Sequence, residues 1–300
     1  MIDSGWLWAI FTLIAAFSQT IRNATQRSLT TTLGTVGATH VRFLFGLPFA
    51  LVFLAVVATA LERAPPIPGL SFGPWILLGA GLQIVATALM LAAMGERSFV
   101  VTIAYIKTEP VQVALFGLLL LGDKVTPLMA LAILVATAGV VVMSLKPGAA
   151  TTPGGFKATL LGLAAGGAFG LSAIGYRGAI LSLQDPSYVM AATVTLAVGL
   201  ALQSALLTTY LLVADRKVLV AIFQAWKPSL GAGFMGALAS QFWFLAIALA
   251  TAASVRTLAL VEVLFAQAIS RFVFGQPTSA REGLGIVLIV VGVILLLWAY

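Results

Sequence analysis

Lys107 and Glu109 stand two residues apart in the stretch AYIKTEPVQ, with Pro110 directly after the acid. From Ser98 to Leu121 the surrounding chain is otherwise apolar for about a full helix length. Counted from Ser98, both charges lie about 14–17 Å into a hydrocarbon layer about 30 Å thick. An ionisable group at that depth costs about 2.5–3.5 kcal/mol or more, so it must face protein or water and have a partner. Two residues on a regular helix differ by roughly 200° around its axis, so Lys107 and Glu109 are not each other's natural partner. Glu262, which falls in another apolar stretch, supplies a third charge. Two carboxylates and one ammonium at mid-bilayer can lock a bundle as a structural ion pair, grip the opposite charges of a small solute, or carry a transported proton. The trio is expected to meet around a central cavity.

Other residues are candidates for lining that cavity. Trp243, in SQFWFLA, and Tyr105 sit deep within apolar stretches and can offer faces for stacking a planar side chain, or simply pack against neighbouring helices. Gln83, Gln241 and Gln267 can meet a solute or make interhelical hydrogen bonds. Pro110 removes a backbone donor and collides with the carbonyl of Ile106, which predicts a kink that exposes acceptors. Trp6, Trp8, Trp75, Trp226 and Trp298 fall near the ends of apolar stretches and read as an interfacial belt. Gly162, Gly166 and Gly170 recur every four residues and predict a face for close helix packing. His40, Arg42 and Arg256 read as interfacial or headgroup contacts, Arg256 alternatively as a guard at one cavity mouth. The absence of cysteine and the single histidine leave few ways to build a metal or nucleophilic site, and no Gly-x-x-x-x-Gly-Lys loop is present for ATP. No cofactor, no metal and no enzymatic activity are expected.

The elements that must hold these residues are membrane spans. The chain is 61% hydrophobic and 8% charged, against about a quarter charged in soluble domains. Its net charge of +7 suits loops beside anionic lipid headgroups, and no basic tract suggests a nucleic acid. The opening MIDSGWLW lacks a basic run and no cleavage site follows, so the first apolar segment is expected to stay as a span. Apolar runs long enough to cross, delimited by charges and Gly/Pro punctuation, predict ten spans, at 5–22, 35–60, 73–95, 98–121, 125–145, 157–181, 187–213, 228–249, 252–274 and 280–299. The connections are too short for a soluble domain.

A repeat runs through the chain at an offset of 153 residues. It matches Gly46 to Gly199, Glu109 to Glu262, Gly122 to Gly275, Leu131 to Leu284 and Gly139 to Gly292. Five spans per half force the second half to enter from the opposite face. The expected fold is thus an all-α integral membrane protein of ten transmembrane helices built as two inverted five-helix repeats, 1–148 and 149–300. With Glu-Pro-Val-x-x-x-Leu-x-x-x-Leu-Leu-Leu-Gly-Asp at 109–123 and Glu-Val-Leu…Phe-Gly-Gln in the second half, such a chain resembles the drug/metabolite transporter superfamily, EamA-like. The likeness is strongest to its bacterial amino-acid exporter branch, the aromatic amino-acid exporters in particular. The resemblance implies export of small metabolites across a bacterial inner membrane by alternating access. Val263 and Gln276 depart from its pattern, where the first half has Pro110 and Asp123.

Ten basic residues border odd-numbered connections, and Arg63, Lys124, Arg177 and Arg256 the even ones. That bias puts odd connections in the cytoplasm and both termini outside, whereas the resemblance implies cytoplasmic termini. A secondary exporter of amino acids, with protons as a candidate coupling ion, accounts for these features together. An exporter of another metabolite or drug class and a passive channel are the alternatives; a channel needs a continuous polar lining, which the spans lack.

Overall fold

A computed structural model of the protein describes residues 6–96, 105–144, 155–272 and 279–299. Arg97, Lys146, Gly275 and Gln276 lie outside them. The described residues form helices α1 Leu7–Leu44, α2 Gly46–Ala60, α3 Phe72–Glu96, α4 Glu109–Leu121, α5 Pro127–Ser144, α6 Gly155–Ser182, α7 Tyr188–Ala214, α8 Arg216–Gln224, α9 Trp226–Leu249, α10 Ala252–Leu258, α11 Glu262–Phe272 and α12 Ala280–Trp298. A 3₁₀ turn, Ala259–Val261, joins α10 to α11. No strand occurs among the described residues.

Among the described residues, six helical stretches are long and apolar enough to cross a membrane, and Leu7–Arg22, Glu109–Leu121 and Pro127–Met143 are shorter apolar helices. Their outward faces carry bare hydrocarbon, including Leu51, Val52 and Val56 on α2, Leu119 on α4, and Val287 and Ile294 on α12. Such contiguous apolar exposure matches lipid rather than water.

Local sequence explains where the helices begin and end. The Ser279 hydroxyl and the Glu282 carboxylate form a reciprocal capping box at the start of α12. Asp215 accepts from the backbone N–H of Lys217 and Val218 and opens α8, a short helix where the sequence suggested only a connection. Gly122, in the left-handed region at φ 66°, ends α4, and Pro127 opens α5. The sequence reading ended the first span at residue 22, on the evidence of Arg22 and its polar neighbours. Instead α1 continues through them and turns only at Gly34, whose φ of 66° and ψ of −179° favour glycine. Gln26 Nε2 donates to the Ala38 carbonyl across that turn, at 2.8 Å.

Packing is organised by pairs of helices: α3 against α6, α1 against α9, and α5 against α12. Small residues let the backbones touch. A β-carbon on Gly139 would lie 2.8 Å from the Gly285 carbonyl oxygen, and one on Gly292 would lie 2.6 Å from the Ala136 nitrogen. At the α3–α6 contact a β-carbon on Gly175 would come within 2.5 Å of the Gly79 nitrogen. The α6 series Gly162, Gly166 and Gly170 faces Tyr105, Ile106 and Val113, so it is a packing face for α4 and the turn before it.

Candidate functional site

Two interrupted helices carry the central charges. Tyr105 and Ile106 are helical, Lys107 and Thr108 form a turn, and α4 starts afresh at Glu109 with Pro110 in its first turn. Proline is tolerated there because its missing N–H has no intrahelical partner to lose. The proline thus opens a new helix instead of kinking a continuous one. The second interruption needs no proline: α10 passes through the 3₁₀ turn and α11 starts at Glu262. Each glutamate is therefore the first residue of a half-helix, where the unsatisfied N–H groups favour a negative charge.

The charges pair crosswise between these interruptions. Lys107 Nζ contacts Glu262 Oε1, and Arg256 Nε lies 3.3 Å from Glu109 Oε1. Gln19 Nε2 donates to the other Glu262 oxygen at 3.5 Å, while its Oε1 accepts from the Trp243 indole N–H at 3.1 Å. The Arg256 guanidinium stacks 4.8 Å from the Trp243 ring centre. One connected set thus runs from Lys107 through Glu262, Gln19 and Trp243 to Arg256 and Glu109.

This set borders a cavity of about 100 Å³. Its charged lining is Arg22, Arg42, Lys107, Glu109, Arg256 and Glu262, its polar lining includes Gln19, Gln26, Gln83 and Ser240, and its aromatic wall is Phe169, Tyr176, Trp243 and Phe244. Tyr176 and Phe244 have ring centres 4.5 Å apart. The Tyr176 hydroxyl donates to Gln83 Oε1 at 3.2 Å, an oxygen that also accepts from Gln203 Nε2 at 2.8 Å.

Of the residues singled out from sequence, Lys107, Glu109, Glu262, Trp243 and Gln83 line the cavity. Tyr105, Gln241 and Gln267 are not in that lining. Tyr105 is buried with its side chain against Gly162, because the glycine leaves room for the ring. Gln241 turns to α7 and donates to Thr193 Oγ1 at 2.9 Å.

Arg42 and His40 are not headgroup contacts. Arg42 is 5% exposed and lines the cavity, and His40 is fully buried with Nε2 2.9 Å from Thr208 Oγ1. Arg22, counted above as a connection charge, is 6% exposed in the same lining. Trp8 is 2% exposed and so leaves the interfacial belt, whereas Trp6, Trp226 and Trp298 are exposed as a belt requires. For Arg42 the sequence signal was its flanks, Val41 before it and Phe43, Leu44 and Phe45 after it, whereas Arg22, followed by Asn23, Ala24, Thr25 and Gln26, carried none.

Residues 6–145 match the EamA-like transporter family. The EamA-like segment contributes Lys107, Glu109, Gln83, Arg22 and Arg42, while Trp243, Arg256 and Glu262 come from beyond the matched residues. No curated protein matched the chain. A crystal structure sharing 15% of its residues aligns over 99% of this chain and 98% of its own with a TM-score of 0.71, which establishes a common fold. An EamA-like domain with apolar helices of these lengths makes this a multi-pass membrane protein.

Proposed function

We propose that the whole chain is a secondary transporter of the drug/metabolite superfamily. It moves small carboxylate-bearing metabolites, amino acids among them, across a bacterial inner membrane by alternating access. The observation that carries the reading is the meeting of two helix interruptions, each opening with a glutamate, at one cavity that offers both signs of charge. Broken helices at a midplane site are how transporters present N–H groups and side chains to a solute without exposing unpaired backbone to lipid. The aromatic wall of Tyr176, Trp243 and Phe244 suits a planar side chain, in keeping with an aromatic amino-acid exporter.

The same reading takes the chain as ten spans in two inverted repeats, 1–148 and 149–300. Its support is the way the pairings transform when the halves are exchanged. The first arm of α1 then corresponds to α6 and α3 to α9, so the α1–α9 and α3–α6 contacts change places. The α5–α12 and α2–α7 contacts map onto themselves.

Energy comes from solute or ion gradients, and Glu109 and Glu262 are the groups placed to carry a coupled proton. Counterflow in proteoliposomes with a panel of labelled amino acids, run with and without a pH gradient, tests the reading. Saturable, gradient-sensitive flux lost in Glu109→Gln and Glu262→Gln is the expected result. Full flux in both variants removes the trio as the site, and ohmic single-channel conductance replaces the transporter with a channel.

A further inference from the structure

We infer that the cavity selects organic acids of net negative charge over zwitterions, with Arg42 as the carboxylate-binding residue; the inference rests on the transporter reading above. Among the described residues, the charged lining of the cavity holds four basic and two acidic side chains. Both acids are engaged, Glu262 by Lys107 and Glu109 by Arg256. An incoming ammonium must therefore share a carboxylate with a cation already beside it, and two like charges repel in a site of low polarity. An incoming carboxylate meets no such competitor at Arg42, which no carboxylate among the described residues pairs with.

Arg42 is placed to receive it. The residue is 5% exposed, its Nε has no hydrogen-bond partner, and no carboxylate pairs with it among the described residues. Its guanidinium carbon lies 5.0 Å from the Phe43 ring, which holds the group without neutralising it. The stem is seated on a residue with no side chain: a β-carbon on Gly236 would be 3.2 Å from Arg42 Cγ and 3.5 Å from Arg22 Cδ. Two buried basic stems crossing one glycine make a built positive region, and a guanidinium fork matches a carboxylate with two parallel hydrogen bonds. With Tyr176 and Phe244 lining the same cavity, the preferred occupant is a carboxylate on a flat apolar body.

Phenylpyruvate and L-phenylalanine isolate the question, since they share a carboxylate and ring and differ in a keto oxygen against an ammonium. Calorimetric titration of the purified full-length protein is expected to give phenylpyruvate an affinity about tenfold or more above that of phenylalanine. Arg42→Gln is expected to abolish the difference, and Arg42→Lys to retain part of it. Equal affinities, tighter binding of phenylalanine, or binding of neither in the unsubstituted protein overturns the inference, and that comparison needs no variant to fold. Counterflow of the same pair reads transport separately. Flux of phenylalanine with no preference for the acid sinks the anion inference and leaves the transporter intact, while absence of flux for every solute, with the binding preference present, sinks the transporter reading.

Discussion

Glu262 and Lys107 form the contact on which structural and functional accounts of the site differ most. Removing one partner of a buried pair leaves an uncompensated charge and typically costs about 3–5 kcal/mol, whereas replacing both with apolar residues is often neutral. Lys107→Met and Glu262→Met are each expected to lower the melting temperature of the detergent-purified protein, and the double variant to recover most of that loss. On the proposed reading, in which the pair binds or couples the solute as well as joining the half-helices, transport is expected to stay below about a tenth of the unsubstituted flux in all three. A double variant that transports at full rate assigns the pair a purely structural role. Lys107, Glu109 and Glu262 were legible in the sequence because a charge inside an apolar run has few explanations. Arg22 and Arg42 were not, since a charge near the edge of such a run reads equally well as a headgroup contact. Tyr105 shows the opposite limit: depth along a helix is readable from the chain, but the direction of the side chain depends on Gly162, a residue 57 positions away.

At the scale of helices, close approach is set by missing side chains, and glycines of the same sequence divide sharply. A β-carbon on Gly139 meets backbone atoms of α12 at 2.8 Å, while one on Gly81 in α3 meets nothing within 4 Å. Gly139→Ala must therefore push α5 and α12 apart and is expected to destabilise by about 1–3 kcal/mol. Gly81→Ala gains helix propensity, about 0.8–1.0 kcal/mol, where the added methyl has open space, and is expected to hold or raise the melting temperature. Thermal unfolding of the two variants side by side checks the assignment; equal shifts would mean that the α5–α12 contact is looser than these distances. Hydrophobic length located most helices to within a few residues, since α3, α5, α6, α7, α9 and α12 follow the expected spans closely. The failure at α1 has a clear cause. Burial in a polar cavity permits arginine and glutamine inside a span, so polarity ended the sequence reading at residue 22 where the helix itself ends its first arm at Gly34.

For the molecule as a whole, buried charges bear on orientation and on gating. Arg22, Arg177 and Arg256 are engaged inside the protein and so do not report on lipid headgroups. Any count of basic residues for the positive-inside bias must leave these three out. The face bearing Asp123 and Asp185 is fastened by two ion pairs. Arg63 meets Asp185 at 3.0 Å, and Arg177 meets Asp123 at 3.1 Å while donating to the Ile247 and Ala250 carbonyls at 2.5 and 2.7 Å. The proposed alternating access requires that face to open, and opening would then release Asp123 from Arg177, because Asp123 follows α4 whereas the two carbonyls belong to the end of α9. Asp123→Asn weakens the closed arrangement alone, and a ligand-free equilibrium shifts by the full difference in stability between the two states. The chain has no native cysteine, so a single Ser240→Cys in the cavity lining reports solvent access. An impermeant maleimide added from the face bearing Asp123 and Asp185 is expected to label that cysteine about tenfold or more faster in Asp123→Asn than in the parent. An unchanged rate would show that the pair fixes the end of α9 without holding the face shut, and a slower one that it favours the open state.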